Sequence, residues 1–263
     1  MDAPEGTVLH AYGVVRAGDA ATLPERGIGG APVGLLVVDG LAAVVSDLPG
    51  SSFGEAVWRA HAEDPEWLGV VAGEHNAVLE AVVDETDVLP LRLPGLYRHR
   101  EALETELRAN AGPLTAAFDA VRGHVEWGVK VFLVEELDEP AAPKPSSGRD
   151  YLSRKSSAAA RKETARDRRA QLLFDVHEEL ALLAAADVVN APQDPALSGR
   201  KEPMLLNAAY LVGRDERDGF LGEADRLGER LAPDGMRLEV TGPWPPYNFA
   251  GRAESSGAPG VPA

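Results

Sequence analysis

The 263-residue chain contains no cysteine. That excludes a disulfide scaffold, cysteine-ligated zinc and thiol catalysis. No apolar run approaches the ~20 residues of a membrane-spanning helix. The best, residues 31–45, is cut by Asp39 and Gly40. Asp2 and Glu5 stand where a secretory signal would carry basic residues. These absences predict a soluble cytoplasmic protein. Metal spacing is missing too: the six histidines (10, 61, 75, 99, 124 and 177) include no i, i+4 pair, and His177-Glu178-Glu179 is not H-E-x-x-H.

Lysine is absent from residues 1–123, which hold 8 arginines against 19 acids within a chain of net charge −16. Such a balance opposes nucleic acid and anionic lipid at long range. Residues 144–170 reverse it, with nine basic and three acidic side chains. Three readings suit that basic segment: a solvated helix face, a docking face for an acidic partner or a second copy, and a nucleic-acid contact. The last is opposed by the overall charge and by Tyr151 being the one available stacking group. On the docking reading the residues that matter are Arg154, Lys155, Arg161 and Lys162.

At roughly 150 residues per domain the length suits one large or two ordinary domains. Residues 7–16 read as a strand. Residues 35–38 and 41–45 flank Asp39-Gly40, a two-residue hairpin signal. Ser52-Phe53-Gly54-Glu55 is a capping-box pattern, predicting a short helix to residue 61. Asp64-Pro65-Glu66 supplies an N-cap with proline at the first helical position. The helix it opens lines up Leu68, Val71, Ala72, Val78, Leu79 and Val82. His75 falls on that face and reads as a hydrogen-bonded core histidine. Residues 88–93 are strand-like, and 99–121 helical with a break at Gly112-Pro113. Residues 125–135 alternate as a strand, and the prolines of 138–148 make a loop.

Residues 150–186 read as one long helix, ~55 Å if unbroken, with an apolar seam (Leu173, Val176, Leu180, Leu183) in its second half alone. A short strand at 187–190, a strand at 204–212, a helix at 214–231 and a strand at 236–241 follow. From residue 124 the order is therefore βαββαβ. The expected class is α+β, with an N-terminal α+β domain (1–123), a modified ferredoxin-like domain with a long first helix (124–250) and a disordered tail (251–263).

Gly50-Ser51-Ser52-Phe53-Gly54 matches the G-x-S-x-G nucleophile elbow, which needs a strand running straight into the turn. Asp47-Leu48-Pro49 stands between strand and glycine, and Ser52 has the alternative duty of a cap. Ser198-Gly199-Arg200-Lys201 matches S-x-x-K without its companion motifs. Glycines 27, 29, 30 and 34 form no phosphate cradle. Residues 242–249, Gly-Pro-Trp-Pro-Pro-Tyr-Asn-Phe, fix an extended backbone carrying three large aromatics. They read as a rigid strap with Trp244 largely buried, or as a partner-binding peptide.

That string resembles the closing signature of the gas vesicle protein L/F family. Val125-Glu126-Trp127-Gly128-Val129-Lys130-Val131 resembles the same family's mid-chain strand. Tyr12-Gly13-Val14-Val15, Gly148-Arg149-Asp150-Tyr151-Leu152 and Ala209-Tyr210-Leu211-Val212 are similar too, in the expected order across residues 7–250. One run departs: where the family reads Leu-Pro-(Val or Leu)-Arg-Phe-Gly-Thr, this chain has Leu89-Pro90-Leu91-Arg92-Leu93-Pro94-Gly95.

The resemblance implies a non-enzymatic accessory protein for building gas vesicles, located in the cytoplasm and at the vesicle. It implies a modified ferredoxin-like second domain and contacts with the small shell protein and other accessory proteins. No catalytic residue, cofactor or metal is implied, and self-association is compatible with it. The alternatives are a cytosolic regulator whose ferredoxin-like domain binds a small ligand and, more distantly, a serine hydrolase using Ser52.

Overall fold

A computed structural model describes residues 6–19, 22–134, 148–193 and 200–250. The chain forms two compact units, one of residues up to 126 together with those from 243, the other of residues 127–242. The chain leaves the first unit within one strand and re-enters it within another. Residues 243–250, assigned by sequence to the second domain, fall in the first unit. The tail 251–263 and most of the proline loop lie outside the described residues.

In the first unit β1 (Thr7–Arg16), β2 (Gly34–Val38) and β3 (Leu41–Pro49) form an antiparallel sheet of order β2-β3-β1-β4, where β4 is Leu89–Pro90. Asp39 and Gly40 both take positive φ (48° and 87°), as the tight β2–β3 turn requires. The expected strand at 88–93 shrinks to β4. Proline 90 cannot donate to a ladder, and the chain returns to β1 only at β5 (Leu96–Tyr97).

The first helices are α1 (Gly50–Phe53), α2 (Glu55–His61) and α3 (Pro65–Glu85). Asp64 caps α3, its carboxylate accepting from the Glu66 and Trp67 amides. Val71, His75, Val78, Leu79, Val82 and Val83 bury the core face of α3. The capping box at Ser52 does not form: Ser52 lies inside α1, and Gly54 precedes α2 without a side-chain cap. The helical stretch after residue 99 is two helices, α4 (Arg100–Ala109) and α5 (Ala111–Val121). They break at Asn110 rather than at Gly112-Pro113, because proline is tolerated in a first helical turn.

The second sheet comprises β6 (His124–Leu133), β7 (Ala186–Val189), β8 (Met204–Gly213) and β9 (Met236–Trp244), in the order β7-β8-β6-β9. With α6 (Gly148–Ala181) and α7 (Arg217–Leu231), the described elements from residue 124 follow the βαββαβ order. Val176 and Leu180 of α6, and Phe220, Ala224, Leu227 and Leu231 of α7, are buried. Trp127 on β6 packs against the Phe220 ring at a centroid distance of 6.5 Å, and Arg217 lies over its indole. The chain is thus an α+β protein with two sheets. β9 runs through Pro243 and Trp244, so the extended segment expected as a strap begins as sheet.

Candidate partner-binding surfaces

Charge distinguishes the N-terminal half of α6 from the rest of the chain. Arg168 Nε meets Asp234 Oδ1 at 2.8 Å, and Arg169 Nε donates to the Asp234 carbonyl at 3.1 Å. These two arginines pin α6 to the turn before β9. Beyond them toward the C-terminus the helix has a buried seam. On the N-terminal side, residues 159–164 and 166–168 are exposed. Alanine, serine and charged residues cannot bury an apolar stripe, so the described side chains of residues 156–168 form no core face. Arg161 and Lys162 are exposed there, joined by Arg166, which the sequence reading did not select. Arg154 and Lys155 belong to the same helix, and their side chains lie outside the described residues.

The proline-rich segment has its own anchors. Glu126, buried at the start of β6, accepts from the Asn248 amide at 2.8 Å and from Asn248 Nδ2 at 2.6 Å. Burial pushes the Glu126 carboxyl above its ordinary range, and the two Asn248 donors partly restrain that shift. Tyr247 donates its hydroxyl to Asn76 Oδ1 at 3.0 Å. Pro245, Pro246 and Phe249 are buried. Trp244 is of intermediate burial, and Phe249, at 6% exposed, is the most buried large aromatic of the segment. A segment held this way is a structural strap of the first unit.

The opening string is equally structural. The β1–β3 register slips between Ala11 and Gly13, leaving Tyr12 as the extra residue of a bulge. Its hydroxyl donates to Ser46 Oγ at 3.0 Å and accepts the Ile28 amide at 2.9 Å. Gly13 follows because a Cβ there would stand 2.8 Å from the Leu89 carbonyl oxygen.

Beside Tyr12 lies a buried histidine pair. His75 Nε2 donates to the Leu91 carbonyl at 3.1 Å, since that oxygen can only accept. The neutral His75 then offers Nδ1 to His10 Nε2–H at 3.0 Å. Burial, and then the neighbouring His75, hold His10 down to about 3; burial holds His75 down to about 4. The core assignment of His75 stands. The pair locks β1 and α3 to residue 91, inside the run that departs from the family pattern.

Enzymatic geometry does not assemble around Ser52. β3 does run to Pro49, directly before α1, contrary to the separation read from sequence. Yet Ser52 is exposed, and among the described hydrogen bonds none joins it to a histidine or carboxylate. Among the described residues no cluster of His, Cys, Asp or Glu could hold a metal ion, and no helix is long and apolar enough to cross a membrane. Ser198 lies outside the described residues.

The model of the family described as gas vesicle synthesis protein GvpL/GvpF matches residues 8–251. The chain belongs to the GvpL/GvpF family. Among its relatives, gas vesicle protein L of Streptomyces sp. (strain CB03234) is 40% identical over 253 residues, 93% of each chain. Gas vesicle protein F2 of Halobacterium salinarum is 27% identical, over 92% of this chain and 91% of that one. The crystal structure of GvpF from Anabaena sp. PCC7120 superposes with a TM-score of 0.63 at 22% identity, covering 93% of this chain and 96% of that one. That likeness shows the fold. The strings whose resemblance pointed to the family lie at joints of the structure: the Tyr12 bulge, the Glu126 anchor, the Trp127 packing and the Asn248 strap.

Proposed function

We propose that this chain is a non-enzymatic accessory factor for assembly of the gas vesicle shell, acting in the cytoplasm and at the vesicle. It binds the small shell protein and other accessory proteins, and the N-terminal half of α6 is its docking arm. Arg154, Lys155, Arg161 and Lys162 are the residues assigned to that arm. The supporting observation is the exposed basic half-helix, Arg161, Lys162 and Arg166, on a chain of net charge −16. Membership in GvpL/GvpF supplies the setting. Long-range attraction to an acidic surface gives such an arm both orientation and a fast encounter.

The test is deletion of the gene from a vesicle-forming cluster, followed by complementation. Cells lacking the chain are expected to form no buoyant vesicles, and the Ser52→Ala form to restore them fully. Normal vesicle number and shape without the chain would refute an assembly role.

A further inference from the structure

A second surface, on the first unit, carries the charge opposite to that of the basic arm. Its centre is aromatic. Trp58 of α2 and Trp67 of α3 meet edge to face at a centroid distance of 4.8 Å, and the His61 ring stacks on Trp67 at 5.2 Å. Both indoles are partly exposed, and Val70, one helical turn beyond Trp67, is 59% exposed. Tryptophan is the residue type most concentrated at binding hot spots. Glu55, Glu63, Asp64 and Glu66 flank the centre along the chain; Glu55 pairs with Arg59 and Arg98, and Asp64 caps α3, which leaves Glu63 and Glu66 as the carboxylates the proposal uses.

The outward face of α3 continues past Val70 with Gly73 after Gly69. A Cβ at either glycine would meet nothing within 4 Å, so the fold itself does not require glycine there. Each glycine costs a helix interior about 1 kcal/mol relative to alanine. What their bareness provides is a shallow apolar trough beside the indoles, which another helix can approach closely.

We propose that this face receives the basic half of α6 from a second copy of the chain. Charge complementarity argues for that occupant. The arm presents Arg161, Lys162 and Arg166 to solvent, with Glu163 and Asp167 between and after them, and Ser156, Ser157, Ala159 and Ala160 beside them are exposed and small enough to enter the trough. The stretch from residue 156 to 167 extends about 18 Å, enough to lie along the first turns of α3. Guanidinium groups stack on indole faces and pair with carboxylates, and Trp58, Trp67, Glu63 and Glu66 offer both. The contact joins unlike surfaces, so two copies can exchange arms in a closed pair and further copies can add head to tail. The inference rests on the docking role of the arm proposed above and names one partner for it.

The experiment uses the purified full chain alone, so its failure leaves the assembly test above untouched. Mass is followed by light scattering against concentration at low and high salt. The unmodified chain is expected to exceed one copy at low salt and to return toward one copy at high salt. One variant carries Arg161→Glu, Lys162→Glu and Arg166→Glu; the other carries Glu63→Lys and Glu66→Lys. Each alone is expected to stay at one copy, with an unchanged melting temperature. Mixing the two restores opposite charge at the contact and should restore growth. A single-copy mass for the unmodified chain at every concentration would overturn the proposal. So would growth that survives either reversal, or a mixture that does not associate.

Discussion

Glu126 and Asn248 stand 122 positions apart and are joined twice, the carboxylate accepting the backbone amide and the side-chain amide of the same asparagine. This one residue pair fastens the proline-rich strap to the start of β6. Asn248→Ala removes one donor and leaves a buried carboxylate with reduced compensation, a loss of about 1–3 kcal/mol. Urea midpoints measure it. Glu126 has a raised pKa in the fold, so its folded form takes up a proton before the unfolded form does. That uptake favours the fold as pH falls, and the deficit of Asn248→Ala should therefore shrink in mild acid. A deficit that grows on acidification would contradict the assignment.

The histidine pair has the opposite sign. His10 and His75 are held neutral in the fold with values of about 3 and about 4, below their ordinary 6.5. The unfolded chain binds more protons in that window, so stability falls as pH drops from about 6.5 toward 4. The loss amounts to a few kcal/mol for the pair, on the scale of 1.36 kcal/mol per unit. Melting temperatures across this range should decline steeply for the unmodified chain. His75→Gln should be less stable at neutral pH and show a clearly shallower decline.

Strap anchoring by Phe249 rather than Trp244 is a third expectation. Phe249 is 6% exposed. Phe249→Ala should cost about 3–5 kcal/mol, the range of a large aromatic lost from a packed core. Trp244→Ala, from a half-buried site, should cost distinctly less in the same denaturation series. Equal losses would return Trp244 to the core.

These contrasts show what a sequence discloses. Periodicity and capping chemistry are local, so α3 with its Asp64 cap, the Asp39-Gly40 hairpin and the buried His75 were legible. Charge counting alone exposed the basic segment. The Ser52 box failed because Ser52 already lies inside α1 and α2 starts after Gly54, a tertiary choice that no four-residue pattern encodes. The Trp58–Trp67 face was missed for a similar reason. Its members fall on two helices, and their exposure depends on how those helices pack. Arg166 was within reach, since it belongs to the same charge reversal as Arg161 and Lys162. The strands cut short at Pro90 and extended through Trp244 depend on pairing with distant partners.

Close approach at Gly13 gives a fourth test. A methyl group there meets the Leu89 carbonyl at 2.8 Å and a Leu79 methyl at 2.9 Å, so backbone must move. Gly13→Ala should lower stability by about 1–3 kcal/mol, the range for overpacking a core. Gly69→Ala, where nothing lies within 4 Å, should instead leave the fold as stable or raise it by up to about 1 kcal/mol. Thermal melts of the two variants compare them directly.

On the function proposed above, the basic half of α6 docks acidic partners during vesicle assembly. The direct measurement replaces Arg154, Lys155, Arg161 and Lys162 together with glutamine and captures the shell protein and the accessory proteins on the purified chain. Exposed ion pairs contribute only ~0–1 kcal/mol each, so the account predicts a moderate loss of capture at low salt. At high salt, where charge is screened, the two forms should converge. Equal capture by both forms at both salt levels would contradict the docking arm and leave the segment a solubilising face.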